Sequence, residues 1–409
     1  MQMASVISKL FFSPRPGKSI MGFFISLLSF LACIMVASLL TKIDAYDFLK
    51  NRSARFKTLD GLRGFLAISV VIHHFALTYH WKITGKWDRP QEDFYQNYGK
   101  VGVAIFFMIT GFLFILKIKK SNNNIDWLKL FESRIFRIIP LYVFAMLIMT
   151  LMIFSLSNFQ MKVGAGELAK QYLKWGLFHG NIINDYRDTR LLIAGVDWTL
   201  KYEWLFYFSL PILALIFHRG GKAWIYATML LVIAGFFRPV FFGQFTTEFF
   251  IFFAIGGIAS YLLDRDLFTS EAISSKLVST VSLLSFLASI FYPKTLDFTH
   301  ILFISTFFLL TVLGNNLFGI LTLKSAILLG EISFSIYLLH GLVLYFLFTS
   351  IPGVDITKLT ATQYSLLMPI LCALVTAISS ITFLLIEKPF IIQGQKYFWT
   401  RIFKSYLSK

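Results

Sequence analysis

Charge is scarce in this chain. Of its 409 residues only 14% are Asp, Glu, Lys or Arg, against 57% hydrophobic and 18% aromatic, and the mean hydropathy is +0.71. That composition excludes an ordinary soluble globular protein and indicates an integral membrane protein. Cysteine is scarcer still. Cys33 and Cys372 each sit inside an apolar run, and they read as buried free thiols rather than a disulfide or a metal site. CxxC, HExxH, P-loop and GxGxxG patterns are all missing, so zinc, nucleotide and dinucleotide sites have no sequence support. Acidic residues are outnumbered 21 to 38 by Lys and Arg, for a net charge of +17. The basic residues lie between apolar runs, and no polar stretch is long enough to bury a core of its own. A nucleic-acid-binding face is therefore excluded. The short alternating segments of a membrane β-barrel are absent too, as are repeats at solenoid spacing.

What is present is a series of apolar runs near helical membrane-spanning length. Core spans are expected near 58–80, 101–116, 140–156, 198–217, 223–240, 246–263, 276–292, 299–317, 327–350 and 364–387. The expected fold is an all-α polytopic bundle of about ten core transmembrane helices, with one extra N-terminal hydrophobic segment at 22–41. The chain divides into 1–57 (hydrophobic segment and basic linker), 58–390 (membrane domain) and 391–409 (basic tail). Pro140 is expected near the first turn of the third core helix, where proline is tolerated. A short amphipathic helix is expected around Glu167 to Phe178 within the polar stretch 158–197.

Basic residues orient the bundle. Segments 42–57, 117–137 and 388–409 are the most basic, and an even number of intervening spans puts all three in the cytoplasm. Loops 81–100 and 158–197 then face outward. The run 22–41, taken as a retained span, puts the basic residues 1–21 outside, against the rule. A re-entrant or cleaved segment resolves that conflict, and the sequence leaves the choice open.

The stretch 58–80 is the anomaly. It is a membrane helix that carries Asp60, Arg63, His73 and His74. Each ionisable group in a bilayer costs about 2.5–3.5 kcal/mol on insertion scales, so such groups mark function. His74 falls within roughly 20° of Arg63 on the helix surface and about 16 Å further along the axis, whereas His73 points about 80° away. His74 is thus the histidine that shares the polar face, and His73 is left to packing or support. Asp60 and Arg63, at i, i+3, pair locally near the cytoplasmic end. A histidine is a natural general base toward a hydroxyl, although a hydrogen-bonded structural histidine is the plain alternative.

Other polar groups recur in the spans. Arg134 and Arg137 sit at i, i+3 and form an anion clamp, or else simple flanking charge. Thr199, Glu203 and Tyr207 make one stripe on the helix that opens with Trp198, and Glu203 is a candidate acid, base or orienter. Ser333, Tyr337 and His340 share a face, while Glu331 lies half a turn from His340 and is not paired with it. Glu387 closes the last span.

Together these motifs resemble the membrane acyltransferase-3 family. The residues that carry the likeness are Leu59-Asp60-Gly61-Leu62-Arg63-Gly64 with His74, and Gly102 to Phe112 with its Thr110-Gly111-Phe112-Leu113 ending. With them go Arg134 to Tyr142 with Arg137 and Pro140, then Trp198-Thr199-Leu200 with Glu203, Phe206 and Tyr207, and finally Ser333 to His340. They fall in the family's order over roughly residues 55 to 390. Thr110 and Thr199 stand where Ser is usual, the run 22–41 lies outside the usual core, and where some relatives carry a hydrolase-like domain the tail here is about twenty residues.

The resemblance implies O-acyl transfer, commonly acetyl, from cytoplasmic acyl-CoA to a hydroxyl of a surface or exported carbohydrate, in a bacterial cytoplasmic membrane. No bound cofactor is implied, acyl-CoA being the donor substrate. His74 is then the base or acyl carrier, and Glu203 and Asp60 complete the catalytic candidates. Arg63, Arg134, Arg137, Tyr207, Ser333, Tyr337 and His340 are the substrate-binding candidates. Partners implied are the lipid bilayer, the acyl-CoA, the carbohydrate and a separate extracytoplasmic transferase or polysaccharide synthesis protein, with no nucleic acid. Two other classes compete. A proton-coupled transporter also uses intramembrane Arg, His and Glu, but would move its solute without consuming acyl-CoA. A non-catalytic scaffold would tolerate loss of His74.

Overall fold

A computed structural model describes residues 16–49, 56–90, 92–121, 124–218, 248–263, 269–294, 296–351 and 353–396. The expected span near 223–240, most of the basic N-terminal segment and the tail beyond Lys396 lie outside those residues. Among the described residues the regular elements are helices and no strand forms. Six helices are long and apolar enough to cross a membrane: Ile20–Leu40, Lys57–Thr84, Asp93–Lys120, Trp127–Leu156, Ser333–Ser350 and Ala361–Gln395. Phe249–Leu262, Lys276–Phe291 and Phe298–Val312 are apolar but shorter. The chain is therefore an α-helical integral membrane protein, with six full-length spans described against an expectation of about ten in the core.

The helices are α1 (Pro16–Leu40), α2 (Lys57–Thr84), α3 (Asp93–Lys120), α4 (Trp127–Leu156), α5 (Ala165–Gly176), α6 (Trp198–His218), α7 (Glu248–Leu262), α8 (Lys276–Phe291), α9 (Phe298–Val312), α10 (Lys324–Glu331), α11 (Ser333–Tyr345), α12 (Met368–Thr382) and α13 (Lys388–Gln395). They form two compact units. One comprises residues 1–103, 139–197 and 268–389, and the other residues 104–138, 198–267 and 390–409.

In the first unit α2 is central. Its apolar residues Leu59, Leu62, Leu66, Val70 and Phe75 are buried, and it packs chiefly against α10 and α11. The contact is backbone to backbone. A Cβ on Gly61 would run into the Leu321 carbonyl, one on Gly64 into Leu329, and one on Gly330 into the Asp60 carbonyl. Small residues at these crossings let the helices approach as bulkier ones could not. The two glycines of the Leu-Asp-Gly-Leu-Arg-Gly motif thus serve packing. Past Thr84, Gly85 takes a left-handed conformation (φ 73°), and its N–H closes on the Trp81 carbonyl at 2.7 Å, a glycine C-cap.

Helix α1 buries Ile25, Ser29, Cys33 and Ala37, one residue per turn, and leaves Phe24, Leu28, Leu31 and Met35 exposed. Its buried serines satisfy themselves. Ser26 and Ser29 each donate to the carbonyl four residues back, both at 2.9 Å. The buried face packs on α12 and α10, with Cys33 beside Cys372. Both thiols are free.

Two boundaries differ from expectation. Helix α4 begins at Trp127, so most of the expected loop 117–137 is helical and Pro140 lies inside the helix rather than in its first turn. Proline removes one ladder donor there, and the apolar length that follows overrides it. The span expected over 327–350 is two helices, broken at Ile332, whose last turn widens at Phe346–Ser350.

Replacing Gly330 by Val should lower the melting temperature of the detergent-solubilised protein, through about 1–3 kcal/mol of overpacking strain. Gly166→Ala, at a position with open space around it, should leave it unchanged.

Candidate active site

The closeness of α2 to α11 has a chemical result. His74 on α2 and His340 on α11 are 266 positions apart, yet His340 Nε2 lies 2.9 Å from His74 Nδ1. The surrounding carbonyls decide where the protons are. His340 Nδ1 is 3.1 Å from the Ile336 carbonyl, and a carbonyl only accepts, so Nδ1 carries the proton. In the neutral ring Nε2 then accepts, and His74 Nδ1 donates to it. The Val70 carbonyl, 3.1 Å away, shares that same N–H. His74 is thereby held as the tautomer whose lone pair is on Nε2. His340 is fully buried, while His74 is half-buried.

Packing fixes both rings. Gly341, next to His340, meets the backbone of Ile193 and Ala194, where a Cβ would clash. Tyr337 donates to the Val196 carbonyl at 3.3 Å. The segment 189–197 therefore seals the back of α11. Ser333, expected as a binding residue, donates to the Gly330 carbonyl at 2.7 Å and ties the α10–α11 junction. His73 donates from Nδ1 to the Tyr95 carbonyl at 2.9 Å, which is a supporting role. His300 is a useful contrast. It accepts from the Leu296 N–H at 2.9 Å and donates to the Ser289 carbonyl at 2.8 Å, so both nitrogens are committed and none is left for chemistry.

Asp60 and Arg63 are half-buried near the start of α2. Since the helix is continuous, Arg63 and His74 are separated by about 16 Å of rise.

The second unit holds a different cluster. Tyr207 on α6 donates to Glu203 Oε2 at 2.8 Å, and the Arg134 guanidinium approaches the same hydroxyl. Arg134 also lies over the Phe114 ring, 5.5 Å from its centroid, and Phe114 packs on Tyr207 with centroids 5.0 Å apart. Lys117 is close enough for its charge to oppose that of Arg134. Arg134 and Lys117 bring two cations to this cluster, and a planar guanidinium is suited to binding an anion. Arg137, one turn on, is half-buried. Here Glu203 accepts from the Tyr207 phenol, and the His74 imidazole is bonded to His340.

No spacing rule joins positions 266 apart, so the His74–His340 pair was not visible along the chain. Trp87 was also missed. Its ring lies nearly parallel to the His74 imidazole, centroids 6.1 Å apart and planes 15° apart. Its only sequence signal is a tryptophan in an otherwise polar loop. Among the described residues, no group of three or more His, Cys, Asp and Glu could hold a metal ion.

Comparison with known proteins yields one match. A family model described as an acyltransferase domain, acyltransferase-3, matches residues 56–384. No curated protein and no solved structure matches.

At neutral pH, nitrogen-15 spectra of histidine-labelled protein should show His74 protonated at Nδ1 and bare at Nε2. In His340→Ala that tautomeric preference should weaken, with the remaining Val70 bond alone to hold it.

Proposed function

Because the chain belongs to the acyltransferase-3 family and is a membrane acyltransferase, we propose that it moves an acyl group, acetyl by family likeness, from cytoplasmic acyl-CoA to a hydroxyl of a surface or exported carbohydrate. The observation that carries this reading is the imidazole pair, a base with a defined lone pair inside a membrane helix.

The acceptor hydroxyl oxygen attacks the thioester carbonyl carbon while His74 Nε2 takes its proton. The carbonyl reforms, the carbon–sulfur bond breaks, and the departing thiolate takes the proton back from His74. The products are the carbohydrate ester and free CoA. His340 orients His74 through Nε2 and is a positioning residue, in the manner of the third member of a catalytic triad. The same Nε2 lone pair also suits a covalent acyl-histidine. Direct transfer uses the hydrogen bond to His340 without a further intermediate.

Arg134 and Arg137 supply the cationic element for the donor's phosphates, with Lys117 beside them and Glu203 and Tyr207 holding Arg134 in place. Arg63, on the face of His74, is the cation of the first unit suited to a donor phosphate. The rise of about 16 Å between Arg63 and His74 suits a donor whose thioester lies far from its phosphates. Asp60 supports Arg63, its neighbour at i, i+3.

His74→Ala should abolish acyl transfer to the glycan while the protein still inserts and extracts normally. The readout is mass spectrometry of surface polysaccharide for the mass of one acyl group. Normal acylation in that variant would overturn the mechanism and favour a scaffold. Arg137→Ala should raise the apparent KM for acyl-CoA with little change in kcat. A fall in kcat alone would assign it another role. His340→Ala should lower kcat with the donor KM unchanged, which separates a positioning role from donor binding.

A further inference from the structure

Beside His74 lie aromatic rings that the acyl-transfer chemistry does not use. Trp87 is near-parallel to the imidazole at 6.1 Å, within the range of offset-stacked rings. The imidazole therefore covers only part of the indole face. Trp81 stands almost perpendicular to Trp87, with centroids 5.7 Å apart and planes at 77°. Trp81 is itself backed by Tyr345, stacked at 6.0 Å, and by the Lys82 ammonium, 4.6 Å above its ring. Tyr345 is anchored through its hydroxyl to that of Tyr186. The result is a corner of two indole planes, one floor and one wall, beside the base.

Both indoles are half-exposed, whereas Tyr345 behind them is buried. The plain explanation of such tryptophans is an interfacial belt that anchors the helix in headgroups. Belt tryptophans present their rings to lipid. Here Trp87 stacks on the imidazole of an internal polar pair, and Trp81 stacks on a buried tyrosine. The loop that carries Trp87 is also fixed. Asp88 bonds to His80 Nε2 at 2.9 Å and accepts from the Arg89 N–H at 2.7 Å. The Arg89 N–H, with His80 after it, holds the Asp88 carboxyl below the usual carboxylate range.

We propose that Trp87, walled by Trp81, is the acceptor platform of this enzyme and that it recognises a pyranose ring by stacking. The inference rests on the acyl-transfer reading and assigns its acceptor side. A pyranose has a face of C–H bonds and a rim of hydroxyls. Stacked on the uncovered part of the indole, on the side where the imidazole lies, it sits beside that ring with its rim directed at Nε2. An acyclic polyol offers the same hydroxyls but no flat apolar face. The indole thus selects ring shape, and the imidazole selects the hydroxyl within reach.

The test uses the full chain in membrane vesicles, radiolabelled acetyl-CoA as donor, and alkali-deacylated surface glycan from cells that make the protein as acceptor. Trp87→Ala should raise the half-saturating glycan concentration about tenfold, as loss of one aromatic stacking contact does. The half-saturating acetyl-CoA concentration should stay unchanged, and Trp87→Phe, which keeps a flat face, should recover most of the affinity. Unchanged glycan saturation in Trp87→Ala, or Trp87→Phe as impaired as Trp87→Ala, would overturn the platform while leaving acyl transfer standing. No transfer by the parent protein to the glycan would overturn the acyl-transfer reading itself, and the platform with it.

Discussion

Everything at the centre of the first unit depends on how closely α2 approaches α10 and α11. In lipid, helices gain little by burying apolar surface against one another, because the tails are as apolar as the side chains. Association relies on packing and on polar contacts. Gly61, Gly64 and Gly330 remove the Cβ atoms that would hold the backbones apart. Gly341 does the same further along, where α11 meets the segment at Ile193 and Ala194. Between these contacts the two helices are near enough for His74 and His340 to share a proton at 2.9 Å. Had the crossing been built on leucines, the imidazoles would be too far apart for a direct bond. The glycines set the distance on which the tautomer depends.

The helical membrane class was legible in composition and run length, because hydropathy reports what a bilayer requires. Element boundaries were less so. Trp127 to Arg137 reads as part of a basic loop, since Lys129, Arg134 and Arg137 break the apolar run, yet it is the opening of α4. A helix has no need to stop where its hydrophobic stripe stops, and a proline at position 140 is tolerated inside it. The site was legible in part. The helical wheel placed His74 apart from His73, and the structure gives them different partners, His340 and the Tyr95 carbonyl. The stripe of Glu203 and Tyr207 was visible too, because i, i+4 neighbours meet on any helix. What joins residues across the chain was not. His340 could be grouped only with its helical neighbours Ser333 and Tyr337, whose hydroxyls serve the Gly330 and Val196 carbonyls.

The two units carry different chemistry. The cluster of Arg134, Glu203, Tyr207 and Lys117 is rich in fixed charge and suits a polyanionic donor. Among the described residues the pair of His74 and His340 has no carboxylate hydrogen-bonded to it, and it is bordered by indoles and phenols. The charged cluster suits the phosphates of the donor proposed for this protein, and the neutral pair suits the base chemistry proposed for it.

The choice of a histidine to orient a histidine follows from the same constraint. Soluble hydrolytic sites commonly use a carboxylate in that position, which fixes the tautomer and stabilises the imidazolium that forms. Deep in a membrane protein a permanent carboxylate carries a desolvation cost of several kcal/mol unless it is fully paired. A neutral imidazole anchored on the Ile336 carbonyl fixes the tautomer of His74 with no buried charge in the resting state. The cost moves to the reaction itself. The imidazolium of His74 is then stabilised by one neutral acceptor and by a carbonyl four residues back, rather than by an anion. It should be a short-lived state, relieved when the departing thiolate takes the proton. A neutral orienter is therefore best matched to a good leaving group such as a thiolate, and ill matched to one that must wait for a strong acid. The donor chemistry proposed for this protein and the neutrality of its orienting residue are in that respect one design.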